Sequence, residues 1–205
     1  VFIFDQNPHL KTYNFFDEQS AAFFALGRIA ASRVPVAVFT TSGTAVAEIL
    51  PAAIEATYSS LPLLIISADR PKRYRGTGAP QSIEQVGLFS YYIEASFDLD
   101  SVNTHMSLKG LSWKKPTHVN VCFREPLVDG PIPKMQIPEH TTRTRFPVSI
   151  PMTMVDEFHE FLNTHRPLVI LSTIPERARE SVVSFLSRLK APIYAEGISG
   201  LRTHP

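Results

Sequence analysis

Short apolar runs of strand length alternate with helical periodicity along the first part of the chain. Val34–Phe39 and Leu63–Ser67 are continuous apolar runs, and small or polar residues follow each of them. Continuous apolar strands separated by helices are typical of a parallel sheet that is covered on both faces. The pattern therefore predicts an α/β fold. The runs that predict strands are Tyr13–Phe16, Val34–Phe39, Leu63–Ser67, Ile93–Leu99 and His118–Phe123.

Between these runs, the spacing of apolar residues predicts helices. The segment Glu18–Ala31 is rich in Ala, Phe and Leu, and Asp17 stands near its N-terminus. A second helix is expected over Ala45–Thr57, with Pro51 as a kink or as part of a late first turn. The shorter helical segments that the sequence predicts are one turn at Ser82–Val86 and a short helix at Ser107–Trp113.

A proline-rich stretch separates this part of the chain from a second one. Six prolines stand between Pro126 and Pro151 inclusive, and they predict a stiff, extended linker over residues 129–150. Residues 151–205 then hold one more α/β unit, which is too short for a complete doubly wound domain. Its predicted elements are the helix Met154–Thr164, with Met154, Phe158, Phe161 and Leu162 on one face, the strand Leu168–Leu171, the helix Glu176–Leu189 and the strand Pro192–Ala195.

The composition mainly excludes certain classes of protein. Hydrophobic residues make up 44% of the chain and the formal net charge is +1, so neither a disordered chain nor a generally basic nucleic-acid surface is indicated. No apolar run approaches the roughly 18 residues that a membrane span requires. The single cysteine, Cys122, excludes an intrachain disulfide and a cysteine-based zinc cluster, and it is in keeping with a cytoplasmic protein.

Both ends of the sequence predict a part of a longer protein. The chain starts at Val1 without a methionine, and it stops at Pro205, shortly after a predicted strand and turn. We therefore expect further residues on either side of this segment.

Polar residues follow the predicted strands at the edge where parallel α/β sheets bind ligands. Thr41-Ser42-Gly43-Thr44 joins a buried strand to a helix. Its backbone N–H groups either hold an anion or a polar ring edge, or its hydroxyls only cap the helix. Glu18 stands where a helix begins, and its carboxylate is either functional or only stabilised by the helix dipole.

A basic loop follows the strand that ends at Ser67. Arg70 has the planar fork that binds a carboxylate through two hydrogen bonds, or it only pairs with the neighbouring Asp69. Lys72 and Arg73 are interpreted as a solvated basic surface. The seven histidines show no metal-binding spacing, and Cys122 is interpreted as a buried small hydrophobe.

Several short segments in fixed order carry a resemblance to a known family. They are Phe16-Asp17-Glu18, Ala25-Leu26-Gly27, Pro35-Val36-Ala37-Val38, Thr41-Ser42-Gly43-Thr44-Ala45, Pro51-Ala52, Ile54-Glu55-Ala56, Ala68-Asp69-Arg70-Pro71, Gly78-Ala79-Pro80-Gln81 with Ile83 and Gln85, His118-Val119-Asn120-Val121, Phe123-Arg124-Glu125-Pro126-Leu127 and Ser199-Gly200-Leu201-Arg202. Taken together, they resemble the thiamine-diphosphate-dependent enzymes, and in particular the 2-succinyl-5-enolpyruvyl-6-hydroxy-3-cyclohexene-1-carboxylate synthase family of menaquinone biosynthesis. The resemblance is nearly continuous over residues 15–127 and thin over residues 150–205.

The resemblance implies a domain organisation. Residues 1–128 would form the parallel-sheet, pyrimidine-binding domain for thiamine diphosphate, without its N-terminal segment. Residues 129–150 would be the linker, and residues 151–205 would open a Rossmann-like central domain. The domain that binds the diphosphate and Mg²⁺ would lie outside this sequence, so no metal ligand is expected within it.

The resemblance also implies roles for individual residues. Glu18 matches the catalytic glutamate that hydrogen-bonds the pyrimidine nitrogen N1′ and promotes loss of the proton from the thiazolium C2. The loop residues Thr41, Ser42, Gly43 and Thr44 would shape the cofactor pocket. Arg70 and Gln81 match positions that bind substrate, whereas Pro80 replaces an asparagine found in some members.

The reaction that the resemblance implies is a decarboxylation followed by a ligation. A transferase would decarboxylate 2-oxoglutarate and add the resulting succinyl-semialdehyde carbanion equivalent to isochorismate. The active site would require at least a homodimer of whole chains, with no nucleic-acid or membrane partner, and the present segment alone would be inactive. Two alternatives remain open: another thiamine-diphosphate carboligase or decarboxylase of the acetolactate-synthase type, and a non-catalytic α/β nucleotide-binding module.

Overall fold

A computed structural model describes residues 4, 7, 8, 10–100, 106–124 and 150–203. The chain divides into two compact units, residues 1–138 and 139–205. The linker predicted over residues 129–150 lies outside the described residues, apart from residue 150. The domain limits inferred from the sequence therefore stay a prediction.

Four parallel strands form the sheet of the first unit. Neighbouring strands follow the order β1-β2-β4-β3, and the register pairs Val38 with Ile65 across β1 and β2. Across β2 and β4 it pairs Ser67 with Asn120. The predicted parallel α/β architecture is confirmed. The strand bounds are β1 Val36–Thr40, β2 Leu63–Asp69, β3 Ala95–Leu99 and β4 Thr117–Cys122.

Among the described residues, one helix precedes β1 and two shorter helices connect β1 with β2. They are α1 (Glu18–Ser32), α2 (Thr44–Ala47) and α3 (Leu50–Tyr58). The single helix predicted over Ala45–Thr57 is wrong, because the chain breaks it into α2 and α3. Pro51 lies in the first turn of α3, where a residue without an N–H group fits without the loss of an intrahelical hydrogen bond.

The core lies where α1 and α3 pack near β1 and β2. Small side chains on the two helices allow their backbones to approach, and larger ones such as Leu26, Ile29 and Leu63 fill the remaining space. Ile29 and Leu63 are fully buried. The buried alanines of this core are Ala22, Ala25, Ala52, Ala53 and Ala56.

Asp17 sets the first residue of α1. Its backbone is extended, and its carboxylate accepts a hydrogen bond of 2.6 Å from the backbone N–H of Ser20. Such a cap satisfies one of the N–H groups that a helix start leaves without an intrahelical partner. Hydrogen bonding from Ser20, first through its side chain and then through its backbone N–H, lowers the pKa of Asp17. The cap and the core packing of α1 together fix the place of Glu18.

Three local predictions from the sequence are wrong. Tyr13–Phe16 forms no strand, and within the described chain no strand lies beside it to supply a ladder of hydrogen bonds. The helical turn at Ser82–Val86 is absent because Gln81 and Gly87, on either side, take positive φ angles of 54° and 88°. The short helix at Ser107–Trp113 is also absent.

The loop at 107–113 is held by a side chain instead of by helical hydrogen bonds. The Glu94 carboxylate accepts hydrogen bonds from the backbone N–H groups of Ser112 and Trp113. Positive φ angles at Gly110 and Trp113, 87° and 57°, are incompatible with a helix there. These backbone hydrogen bonds also lower the pKa of Glu94.

The second unit contains two helices and a pair of parallel strands. The predicted apolar face of the first helix is largely exposed: Met154, Phe158 and Phe161 keep 59%, 47% and 44% of their surface accessible. A 3₁₀ turn at Glu176–Ala178 replaces the start of the predicted second helix. The elements are α4 Met152–Thr164, β5 Val169–Leu171, α5 Arg179–Leu186 and β6 Ile193–Ala195.

Within the described residues, no helix is both long enough and apolar enough to cross a membrane.

The core packing of α1 predicts a graded loss of stability at Ile29. We expect Ile29→Ala to lower the free energy of unfolding by about 2–4 kcal/mol and Ile29→Val by about 1 kcal/mol, because the buried site loses methyl groups and keeps a cavity. Phe23→Ala, on the exposed side of the same helix, serves as the control and should cost less than Ile29→Ala. Urea unfolding of the three variants measures these differences, and equal losses at positions 23 and 29 would contradict the assigned core.

Candidate functional site

Glu18 lines a cavity at the side of the sheet. The cavity has a volume of about 720 Å³ and is bordered by Phe4, residues 10–15, α1, β1 and the β2 residues Leu64 and Ile66. Glu18 and Thr41 both contribute to its wall. The carboxylate of Glu18 is half-buried, and within the described part of the chain no residue forms a hydrogen bond or ion pair with it. It is therefore available to a ligand.

The loop Thr41–Thr44 turns the chain from β1 into α2. Gly43 occupies the N-cap position of α2, and no side chain caps the helix. The interpretation of this loop as a plain hydroxyl cap is therefore wrong. Gly43 has φ 81° and ψ −142°, a conformation that a residue with a Cβ atom rarely adopts.

A second loop lies directly against Gly43. A Cβ atom at Gly43 would stand 3.1 Å from Cα and 3.2 Å from the carbonyl carbon of Gln81. Gln81 itself has a φ angle of 54°, which is uncommon for a residue other than glycine. The absence of a side chain at position 43 thus allows two loops that carry predicted site residues to touch.

Gln85 ties the first of these loops to the sheet. The backbone N–H of Gly43 donates a hydrogen bond of 3.0 Å to Gln85 Oε1. Gln85 Nε2 donates to the backbone carbonyl of Ala68 at 2.8 Å and to Asn120 Oδ1 at 2.6 Å. The Gln85 side chain is fully buried, so these contacts replace the water that its amide group has lost.

An ion-pair network continues from Asn120 to the end of β2. Asn120 Nδ2 donates to Asp69 Oδ2 and to Asp98 Oδ1, both at 2.9 Å. Arg75 Nη2 donates to the same two carboxylates at 2.8 Å. These hydrogen bonds hold the pKa of Asp98 well below its usual range and raise the pKa of Arg75. The backbone N–H of Arg70 donates to Asp69 Oδ1 at 2.7 Å.

Possible metal ligands in this network already have a cationic partner. Ligand atoms of Asp69, Asp98 and Cys122 lie within 4.8 Å of one another. The guanidinium of Arg75 contacts all three, including Cys122 Sγ at 3.2 Å. Burial raises the pKa of the Cys122 thiol. The group is best described as an ion-pair network that shapes the loop after β2.

Lys72 and Arg73 of the basic loop are exposed, as interpreted from the sequence, and both also form contacts at the surface. Lys72 Nζ lies 3.3 Å from carboxylate oxygens of both Asp98 and Asp100, and these contacts raise the pKa of Lys72. The guanidinium of Arg73 stands 4.8 Å from the ring centre of Tyr74. Arg75 forms a side-chain ion pair with Asp69, and the pairing of Arg70 with Asp69 or another neighbouring carboxylate stays a prediction.

His118 is a buried imidazole on β4. Its Nε2 lies 2.8 Å from the hydroxyl of Ser67, and the ring of Phe89 meets it edge-on at a centroid distance of 4.9 Å. Nδ1 is buried, and none of the residues that the structure describes forms a hydrogen bond with it. Burial lowers the pKa of His118 to about 4, although Asp98 and Asp69 oppose this shift. His118 is therefore neutral at physiological pH.

The structure brings some of the predicted site residues together. Glu18 and Thr41 share one cavity, and Gly43 touches Gln81. Arg70 does not line that cavity and lies at the end of β2, beside Asp69.

Sequence reasoning assigned no role to Gln85 or Asn120. The available signal was the alternation of polar residues in apolar strands, with Ser67 and Asp69 on β2 and His118 and Asn120 on β4. Residues two apart on a strand share a face, so this alternation predicts a polar stripe inside the unit.

Comparison with known proteins agrees with this geometry. The family model described as thiamine pyrophosphate enzyme, N-terminal TPP binding domain, matches residues 3–88. The chain is 62% identical over its whole length to the 2-succinyl-5-enolpyruvyl-6-hydroxy-3-cyclohexene-1-carboxylate synthase of Bdellovibrio bacteriovorus. Residues 3–88 are therefore similar to the TPP-binding N-terminal domain of thiamine pyrophosphate enzymes.

Further relatives are similar to this chain at lower identity. Synthases of the same name from Staphylococcus epidermidis and Dechloromonas aromatica are 35% and 34% identical over 99% and 92% of this chain. The chain spans 39% of the length of the Bdellovibrio and Staphylococcus relatives and 38% of the Dechloromonas one. The resemblance inferred from the sequence motifs is thereby confirmed, and so is the α/β class of the TPP-binding domain.

The buried His118 predicts a pH-dependent stability. The folded protein holds the imidazole neutral, with a pKa near 4, whereas the unfolded chain binds a proton near pH 6.5. The contribution of His118 is thus complete above pH 6.5 and falls as the pH drops toward 4, by at most about 1.4 kcal/mol per pH unit. Urea unfolding of wild type and His118→Gln between pH 7 and 4.5 measures it, and the wild type should lose more stability. Parallel profiles would contradict a buried neutral imidazole.

Proposed function

We propose that the full-length protein is a thiamine-diphosphate-dependent transferase of menaquinone biosynthesis. It decarboxylates 2-oxoglutarate and adds the remaining four-carbon unit to isochorismate. The observation that carries this proposal is the carboxylate of Glu18, which lines the cavity beside Thr41 and has no protein partner among the described residues. The names of the relatives support the particular reaction.

The residues at the cavity suit the aminopyrimidine of thiamine diphosphate. When bound, thiamine diphosphate would supply an acidic C2–H, whose conjugate base is the nucleophile for a 2-oxo group. It would also supply an electron sink for the loss of CO₂. Glu18 holds a proton at the pyrimidine nitrogen N1′ through a charge-assisted hydrogen bond. Its place in the first turn of α1 puts the carboxylate at the positive end of the helix dipole.

The loop Thr41–Thr44 provides the second wall of this site. Its short side chains and the glycine leave room for a planar ring to approach the backbone. Thr41, Ser42, Gly43 and Thr44 shape the pocket through backbone and hydroxyl groups, and Gln81 beside Gly43 extends it toward the substrate.

Arg70 and Gln81 bind the substrates in this proposal. Both substrates are carboxylates, and a guanidinium binds a carboxylate through two parallel hydrogen bonds. Arg70 follows the carboxyl end of β2, the edge at which parallel α/β sheets bind ligands. The positive φ of Gln81 supports a functional role, since such backbone strain concentrates at binding sites.

The remaining parts of the proposal concern the whole protein. Residues 1–128 form the pyrimidine-binding domain, residues 129–150 a linker and residues 151–205 the start of a Rossmann-like central domain. Mg²⁺ and the diphosphate bind to a domain outside this sequence, contributed by a partner chain in a cytoplasmic homo-oligomer. The segment alone should then show no turnover.

Product analysis tests the choice of substrates. The full-length protein is incubated with thiamine diphosphate, Mg²⁺ and either 2-oxoglutarate with isochorismate or pyruvate alone. We expect the ligated product only from the first pair. Acetolactate formed from pyruvate would instead assign the protein to the acetolactate-synthase type, and absence of cofactor binding would favour a non-catalytic module.

Substitution of Glu18 tests the catalytic assignment. Glu18→Gln in the full-length protein should lower kcat by about 10²–10⁴-fold, because an amide cannot stabilise the protonated N1′ as a carboxylate does. The fold should be unchanged, and Glu55→Gln, on an unrelated helix, is the matched control. Steady-state rates and circular dichroism of both variants decide the matter, and a near-normal rate for Glu18→Gln would refute the role.

Substitution of Arg70 tests the substrate clamp. Arg70→Lys keeps the charge but loses the two-donor fork, so we expect kcat/KM to fall by about 10- to 100-fold. The affinity for thiamine diphosphate should be unchanged, because Glu18 and not Arg70 serves the pyrimidine. Kinetics, cofactor affinity and thermal stability are measured together with Arg73→Lys as a control. Unaltered kcat/KM, or lowered stability alone, would remove Arg70 from the substrate site.

A further inference from the structure

A continuous chain of buried hydrogen bonds connects the two loops that carry the candidate site residues. It runs from the backbone N–H of Gly43 through Gln85 and Asn120 to Asp69, and it ends at the backbone N–H of Arg70. We call the side chains of Gln85, Asn120 and Asp69 the amide relay. Gln85 and Asn120 are fully buried, and Asp69 keeps 4% of its surface accessible.

The direction of each hydrogen bond in the amide relay is determined by fixed groups at both ends. Gly43 and Arg70 present backbone N–H groups, which can only donate. Gln85 must therefore turn Oε1 toward Gly43, and its Nε2 then donates to Asn120 Oδ1. Asn120 in turn directs Nδ2 toward the Asp69 carboxylate. A flip of either amide would place two donors or two acceptors face to face.

The amide relay stabilises the folded state only when all of its hydrogen bonds are formed. A buried polar group without a partner loses its hydration and gains nothing in exchange. Arg75 compensates the charge of Asp69 through its own hydrogen bonds at 2.8 and 3.1 Å. Ser67 adds a donor to Asn120 Oδ1 at 2.9 Å. Within this set, Gln85 is the one side chain that reaches the glycine turn at Gly43.

We propose that Gln85 is a positioning residue that holds the Thr41–Thr44 loop in its binding conformation and couples it to the Arg70 loop. This inference rests on the proposed function, since it assigns the held loop to the thiamine diphosphate pocket. Gln85 itself touches neither cofactor nor substrate. It acts through the backbone of Gly43, whose positive φ and contact with Gln81 require an external hydrogen bond to stay in place.

The first test removes both functions of the Gln85 amide. Gln85→Met has a similar volume but offers the Gly43 N–H no comparable acceptor and donates nothing. In the full-length protein we expect amide hydrogen exchange of a peptide covering residues 39–46 to accelerate by about tenfold or more, as for the loss of one buried hydrogen bond. The dissociation constant of thiamine diphosphate, titrated with Mg²⁺, should rise by about tenfold. At saturating cofactor kcat should stay within a few fold, because Glu18 is untouched.

A matched control separates positioning from general loss of stability. Val119→Ala removes core packing from the same strand as Asn120, on the opposite face of the sheet. We expect it to lower the melting temperature but to leave exchange at residues 39–46 and cofactor affinity at wild-type values. If Gln85→Met lowers the melting temperature alone, as Val119→Ala does, the proposal is overturned.

A conservative variant provides the rescue. A protonated carboxyl at Gln85→Glu keeps the acceptor for the Gly43 N–H and donates one hydrogen bond, to the Ala68 carbonyl or to Asn120 Oδ1, whereas its ionised form has no donor for either acceptor. Burial raises the pKa of such a group. Relative to wild type at each pH, exchange at residues 39–46 should therefore be near normal at pH 6 and accelerated at pH 8.5. The neighbouring Asp69, Asp98, Arg75 and His118 are common to both proteins, so the ratio cancels their titration.

The experiment distinguishes a failure of the proposed function from a failure of the role assigned to Gln85. If wild-type protein binds no thiamine diphosphate, the proposed function fails, and hydrogen exchange alone decides whether Gln85 holds the loop. If wild type binds the cofactor and Gln85→Met changes neither exchange nor affinity, only the role of Gln85 is lost. Should Gln85→Met fail to fold, the pH dependence of Gln85→Glu decides, and a ratio that stays constant with pH overturns the proposal.

Discussion

Buried polar side chains on β2 and β4 impose the constraint on which the first unit depends. Ser67, Asp69, His118 and Asn120 lie inside the protein, and each loses its hydration when the sheet forms. Such groups are tolerated only when they are hydrogen-bonded. The strand register, which places Ser67 opposite Asn120, meets this requirement across β2 and β4. Loops must supply the remaining donors and acceptors, and they are thereby fixed against the sheet.

The same requirement separates two kinds of carboxylate in this unit. Asp69 and Asp98 are saturated by Arg75, Asn120 and backbone groups, and they serve the architecture. Glu18 lies at a helix start and borders a cavity, with no such partners within the described chain. A carboxylate without hydrogen-bond partners in the fold can accept hydrogen bonds from a ligand. This is the physical basis of the role we propose for Glu18.

The sequence alone was sufficient for the features that depend on local pattern. Apolar runs located β1, β2, β3 and β4 to within two residues, and Asp17 marked the start of α1. The ordered set of short motifs, one of which contains Glu18, carried the resemblance to thiamine-diphosphate-dependent enzymes. Features that depend on tertiary contacts were missed. Positive φ angles at Gln81 and Gly110 and the break between α2 and α3 at residues 48–49 are features that no periodicity reveals. The amide relay joins residues up to 77 positions apart, as the interval from Gly43 to Asn120 shows, so its partners emerge only once the strands are aligned.

The contact between Gly43 and Gln81 has a consequence for the exchange of parts among related proteins. Neither loop has an independent conformation, because the missing side chain of one makes room for the backbone of the other. A transplanted 41–44 loop from a relative would arrive without the matching 78–85 segment and meet a backbone that it does not fit. In natural divergence and in engineered chimeras alike, the two segments should therefore be exchanged together. Changes of substrate range should arise from paired substitutions in both segments rather than from single ones.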